Sequence, residues 1–191
     1  MESKLQLYNR MMATRRELKK EFVEEASLAI QKRILLLEEF RTALRVGLYA
    51  PFDNEVKTDL LFAEANKHRK ELYYPAVDEK HGRLMFFRVT DLNDLKPGYA
   101  GIWEPSGMIR KLRDVNTLET IIVPGVAFDL HGGRLGFGKG FYDRCLLEFR
   151  GKRIAFAYDF QIVSELPTAV RGQKVDWIVT ESRVIHPVRK F

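Results

Sequence analysis

Near its start the chain alternates apolar and charged positions at helical spacing. Leu18, Phe22, Ala26 and Ile30 recur every four residues with charges between them, which predicts a long helical region over residues 4–39. Short apolar runs follow. Residues 45–50 predict a strand and 51–54 a turn. Residues 60–69 predict a helix that Thr58 or Asp59 would cap. Residues 72–77 and 84–89 read as two strands, joined through the polar residues 78–82 as a hairpin. The window 92–107 carries Pro97, Gly98, Gly101, Pro105 and Gly107 and reads as a loop. Further strands are expected at 120–123, 153–158 and 177–180, with an amphipathic helix at 142–149 between the first two.

Strands alternating with helices predict an α/β fold: a single domain over residues 1–191, built on a mainly parallel, Rossmann-like sheet flanked by helices. Ligands of such sheets bind beyond the carboxyl ends of the strands. Ala50-Pro51, Tyr74-Pro75 and the glycine-rich segment after Val123 each follow a predicted strand, so three loops are expected to converge on one cleft. No internal repeat, low-complexity tract or interdomain linker breaks the pattern.

Composition narrows the picture. With 191 residues, 46% of them apolar and 30% charged, the chain can bury one sizeable core. There is no apolar run long enough to span a bilayer, and the acidic residue near the start and the lack of a secretory core argue against a targeting segment. A cytoplasmic protein without a membrane partner is expected. Cys145 is the single cysteine, which excludes an intrachain disulfide and a cysteine-based metal site; it is expected to be a small core residue. His68, His81, His131 and His186 show no metal-ligand spacing, and His131 is expected in a turn. The formal charge of +6 suggests an anionic partner. Lys and Arg are interspersed with Asp and Glu, without a basic tail, so a small anionic substrate such as a nucleotide fits as well as nucleic acid. Solubility alone would also account for the charge.

The most informative segment runs from Val123 to Arg144 and holds six of the 13 glycines. A strand, a glycine-rich loop with Arg134 and Lys139, then a helix is a way of holding phosphate. Glycines let the backbone approach the anion, the N–H groups of the helix start point at it, and the basic side chains neutralise it. The alternative is a tight turn whose glycines serve packing. The loop is neither a Walker A sequence nor a dinucleotide fingerprint, because the Lys-Ser/Thr pair and the final glycine spacing are missing.

The run from Val123 to Asp129, followed by Gly133 to Arg144, closely resembles the signature of the 5-formyltetrahydrofolate cyclo-ligase family, the methenyltetrahydrofolate synthetases. The resemblance covers nearly the whole chain. Lys4-Leu-Gln-Leu7 is similar to the family's N-terminal Lys-x-x-Leu, with Arg15 at the expected distance. Glu55-Val-Lys-Thr58, Gly101-Ile-Trp-Glu-Pro105 and Lys174-Val-Asp176 resemble three shorter family segments, in order. There are two departures. Tyr8 stands where the family usually has an ATP-binding arginine, and Phe141 where it usually has tyrosine.

The resemblance implies a fold of the sugar-phosphate isomerase and CoA-transferase type. It also implies an ATP- and Mg²⁺-dependent closure of 5-formyltetrahydrofolate to 5,10-methenyltetrahydrofolate. It assigns catalysis to Lys139, Arg134 and Tyr142. ATP contacts fall to Lys4, Tyr8, Arg15, Arg134, Leu135, Gly136, Phe137, Gly138, Lys139, Gly140, Phe141 and Tyr142. The folate falls to Ala50, Glu55, Phe137, Gly138, Lys139, Gly140 and Phe141, and the metal to Asp143 and Asp176. Tyr99 and Trp103 are further candidates for ring stacking. The expected protein is a monomer acting on small molecules, ATP and 5-formyltetrahydrofolate with or without a polyglutamate tail, with no nucleic-acid partner. Its rival is a noncatalytic nucleotide- or RNA-binding module on the same fold. Lys139, Asp143 and Asp176 favour the enzyme, since a pure binder needs no metal-positioning acids.

Overall fold

The computed structural model describes residues 2–106, 112, 114–170 and 172–188. Instead of one long helical region, the N-terminal segment forms three helices: α1 (Lys4–Arg16), α2 (Lys20–Ile34) and α3 (Glu38–Arg41). A reciprocal Ser3–Gln6 capping box starts α1. The break at residues 17–19 follows from where the apolar faces point. Leu7, Met11 and Met12 of α1 pack on a small cluster with Val126, Ala127 and Leu135. Ala26, Ile30 and Ile34 of α2 belong to a different and larger one. The buried stripe of α2 is Val23, Ala26, Ile30 and Ile34, so Phe22 is displaced from the expected stripe and lies half-exposed against Tyr158.

The chain then builds β1 (Arg45–Gly47), α4 (Asp59–Lys67), β2 (Glu71–Asp78) and β3 (Arg83–Arg88). The window expected as a loop holds a two-stranded ribbon, β4 (Leu95–Pro97) and β5 (Trp103–Pro105). A ribbon tolerates Pro97 and Pro105 because each of its strands keeps an unpaired edge. Gly107 lies outside the described residues. Next come β6 (Thr120–Val123), β7 (Ala127–Asp129), β8 (Arg134–Leu135), α5 (Phe141–Glu148) and β9 (Lys152–Phe156). The last strands are β10 (Ile162–Val163), β11 (Trp177–Val179) and β12 (Val184–Ile185).

The main sheet has seven strands in the order β12-β11-β9-β6-β1-β2-β3. Its central pairs are parallel, and the antiparallel β3 and β12 close the two edges. β2 and β3 form the expected hairpin. Strict alternation along the strands feeds two cores. Ile122, Ile154, Phe156 and Tyr74 face α2, α3 and α4, while Ile121, Val123, Ala155 and Tyr73 join Leu146 and Phe149 at α5. β10, β7 and β8 make a second, three-stranded sheet that the apolar pattern did not reveal. Among the described residues, no helix is long and apolar enough to cross a membrane.

The chain runs outward from β1 to β2 on one side and from β6 through β9 to β11 on the other. The neighbours β1 and β6 are therefore the switch point of the sheet, where a crevice opens beyond the strand ends.

Candidate active site

A cavity of about 280 Å³ lies at that switch point. Tyr49, Ala50, Phe52 and Glu55 come from the connection after β1, Pro75 and Val77 from β2, and Pro124 from the end of β6. The expected convergence is thus found, although Tyr74-Pro75 lies inside β2 rather than at its end. The glycine loop closes another wall. Arg134, the run from Gly136 to Asp143, and the ribbon residues Tyr99, Ile102 and Trp103 all line the space. The walls are mainly aromatic and aliphatic with few polar groups, the usual make-up of a small-molecule site. Tyr99 meets Phe141 edge-on at 5.5 Å, which ties the ribbon to the glycine loop. Glu104 accepts the Val77 N–H at 3.1 Å and ties the ribbon to β2.

The loop is shaped by backbone geometry. Gly138 and Gly140 have φ of 91° and 72°, a region that side chains other than glycine rarely adopt. Gly140 begins α5 without a side-chain cap. Arg144 donates to the Lys139 carbonyl at 3.1 Å and to the Gly82 carbonyl, so the loop is held against the β2–β3 turn. Lys139 itself is exposed at the cavity rim.

Arg134 is almost fully buried. It donates to the Pro124 carbonyl at 3.2 Å and to Asp143 Oδ1 at 2.7 Å, and it lies over the Tyr142 ring. Its Nε and the Tyr142 hydroxyl are buried without a hydrogen-bond partner. Burial holds the Tyr142 hydroxyl far above the ordinary tyrosine range, so it is a donor rather than an anion. Glu55 is 7% exposed. Its Oε2 accepts the Phe52 N–H at 3.1 Å, and its Oε1 has no hydrogen-bond partner. Burial pushes the Glu55 carboxyl up to about 7, against the opposing pull of Arg15. Buried polar atoms are normally satisfied, so three residues with an unsatisfied polar atom in one cavity wall single it out as the candidate site.

Not every expected site residue reaches the cavity. Lys4 is exposed at the first turn of α1. Tyr8 is half-buried and packs on the cluster around Leu7, Val126 and Leu135. Leu135 is a core residue of that cluster. Arg15 is 1% exposed, beneath the Phe137 ring and beside Glu55. Asp176 Oδ2 accepts the Arg153 N–H at 3.0 Å, and the residue is not part of the cavity wall. Cys145 is mostly buried, its thiol pushed up to about 12 by burial, which removes it as a nucleophile. His131 sits in the turn after β7, as expected. Sequence reasoning missed Tyr49, Phe52 and Leu84, whose apolar character carries no chemical signal of its own.

Mg²⁺ takes one or two protein carboxylates together with phosphate oxygens. Among the described residues, no group of three or more His, Cys, Asp or Glu side chains could hold a metal by itself. Asp143, at the cavity wall with one oxygen directed to Arg134, fits the carboxylate-plus-phosphate arrangement.

A mainly parallel sheet with an apolar cleft at its switch point and a basic glycine loop as one wall defines an α/β protein with a candidate small-molecule site. The chain belongs to the 5-formyltetrahydrofolate cyclo-ligase family, whose profile matches residues 1–181. It is 36% identical over 149 residues to the 5-formyltetrahydrofolate cyclo-ligase of Haemophilus influenzae, a match covering 75% of this chain and 79% of that one. It is 30% identical over 174 residues to that of Escherichia coli K12, covering 89% and 96%. The solved structure of Aquifex aeolicus 5,10-methenyltetrahydrofolate synthetase matches with a TM-score of 0.85 at 35% identity, covering 98% of this chain and 94% of that one. A Mycoplasma pneumoniae 5,10-methenyltetrahydrofolate synthetase shares the fold, with a TM-score of 0.76 at 22% identity over 94% and 99% of the two chains.

Proposed function

We propose that the protein closes 5-formyltetrahydrofolate to 5,10-methenyltetrahydrofolate at the expense of ATP. The observation that carries this reading is the continuity of two unlike surfaces: an aromatic cavity with a buried carboxylate, Glu55, in its wall, and a basic glycine loop around Lys139. The first suits a flat heterocycle whose ring N–H groups need an acceptor. The second suits phosphate.

The formyl group on N5 is an amide, and its carbonyl is a poor electrophile. The formyl oxygen attacks the γ-phosphorus of ATP, and the bond to ADP breaks. N10 then adds to the activated formyl carbon, its proton is lost, and the formyl oxygen departs with the phosphate. Phosphoryl transfer depends on positioning and on charge stabilisation. Lys139 would neutralise the transferring group. Arg134, held in place by Pro124 and Asp143, would fix a phosphate oxygen through its free Nε. The Tyr142 hydroxyl would donate to the substrate inside the cavity, and Phe137, Phe141, Tyr99 and Trp103 would cover the ring and exclude water. Asp143 would hold Mg²⁺, which supplies charge neutralisation at the phosphates. Asp176 would serve through the backbone of β9, which it braces at Arg153.

The test is direct. Protein, ATP, Mg²⁺ and 5-formyltetrahydrofolate are mixed and the near-ultraviolet absorbance of the methenyl product is followed. Product is expected only with nucleotide and divalent metal together. Product that persists in excess EDTA removes the metal from the scheme, and folded protein that makes no product under any condition overturns the proposed activity.

A further inference from the structure

We propose that Arg15 is the positioning residue for Glu55: its buried guanidinium holds that carboxylate at the cavity wall and favours its charged form. The proposal rests on the reading that Glu55 receives the folate ring, and it gives a role in the site to a helix that the cavity does not touch.

A fully buried cation needs a countercharge, because losing either partner of such a pair strands the other in low dielectric. Two carboxylates lie within reach of the guanidinium, Asp53 and Glu55, each at 3.8 Å. Asp53 is already held by Arg16 at 3.0 Å on the solvent side. Glu55 is nearly as buried as Arg15 itself. The other contacts of the guanidinium are weak or apolar: the Gly125 carbonyl at 3.4 Å and the Phe137 ring at 5.2 Å. Arg15 Nε and Nη2 and Glu55 Oε1 are without hydrogen bonds.

From the side of Glu55 the arrangement is equally one-sided. The groups that influence it are Arg15 from α1, Asp53 from its own turn, and the hydroxyls of Tyr49, Tyr142 and Tyr158 from the ends of β1 and β9 and from α5. Arg15 is the cation of that set. Burial pushes the Glu55 carboxyl towards neutrality, and Arg15 opposes it. The backbone fixes the meeting. Asp53 and Asn54 adopt left-handed φ of 50° and 58°, and the Asn54 side chain donates to the Arg15 carbonyl at 3.1 Å. The turn carrying Glu55 is thereby fastened to the end of α1. An ionised carboxylate accepts two N–H groups from one ring edge, whereas a neutral carboxyl presents its own O–H to one of them.

The experiment is a titration of the Glu55 carboxyl by carbon NMR in the ligand-free protein, with Glu55→Gln to assign the signal, repeated in Arg15→Met. An opposite charge at this range shifts a carboxyl by about 1–3 pH units. The midpoint in Arg15→Met should therefore rise by about one unit or more. Affinity for 5-formyltetrahydrofolate should fall more at neutral pH than in alkaline buffer. An unmoved midpoint in folded Arg15→Met overturns the proposal. Should Arg15→Met fail to fold at neutral pH, the cause would be the stranded carboxylate, so folding should return in mildly acid buffer and in Arg15→Met/Glu55→Gln. Failure of both to refold overturns the proposal too, because a purely packing role predicts no such rescue. The titration needs no folate. A raised midpoint together with undiminished folate affinity in Glu55→Gln would keep the pair and remove only the folate role of Glu55.

Discussion

Lys139 is exposed and its ammonium supports no part of the core. Its side chain can be removed without opening a cavity. Lys139→Ala should lower turnover at least about a hundredfold, the effect typical of removing one charge-stabilising group from a reacting centre. The melting temperature should stay within the error of wild type. Near-normal turnover would reduce Lys139 to a solvated loop residue. Its position was legible in the chain because the glycine loop is local: glycines, a basic pair and a helix start are contiguous in sequence and stay contiguous in space. Glu55 was legible only by resemblance, since a glutamate after a strand is more often solvated. Its pairing with Arg15 was not legible at all, because it depends on how the end of α1 meets the turn after β1. Asp176 shows the reverse: a segment that matches in sequence sits at β11 and braces Arg153 instead of facing the cavity.

Among elements, β1, β2, β3, β6, β9 and β11 of the main sheet were readable from apolar runs, and the edge strand β12 and the strands of the small sheet were not. β6 and β9 give apolar runs that alternate between two cores. β7, β8 and β10 are two or three residues each, too short for any periodicity to emerge. The ribbon was hidden by its prolines and glycines. The helical region at the N-terminus was seen as helix but not as separate helices, because local spacing cannot report that α1 and α2 dock on different clusters. That docking changes the expectation for Tyr8, the residue that stands in place of the family arginine. On α1 it packs against the apolar cluster and does not line the cavity. Tyr8→Arg should therefore cost stability, by roughly 1–2 kcal/mol for a charge forced onto a half-buried apolar face, without tightening ATP. Thermal melts and ATP titrations on the variant check this. Tighter ATP binding at unchanged stability would place Tyr8 at the nucleotide instead.

At the scale of the whole molecule, the sheet explains why residues from distant parts of the chain share one space. Reversal of the winding between β1 and β6 leaves a crevice, and the connections after these strands deliver Glu55 and Pro124 to it. The glycine loop enters from the small sheet and the ribbon folds over from beyond β3. The architecture thus joins an aromatic-lined cavity to a basic glycine loop, and the chemistry proposed for it transfers phosphate onto an oxygen of a substrate held in the cavity. The most direct measurement follows that oxygen. 5-Formyltetrahydrofolate is prepared with a heavy isotope in the formyl carbonyl and turned over by the full chain with ATP and Mg²⁺, and the inorganic phosphate is analysed by mass spectrometry. The expected result is one heavy oxygen in each phosphate released, with one ADP and one methenyl product formed alongside. Methenyl product accompanied by unlabelled phosphate would contradict phosphorylation of the formyl oxygen.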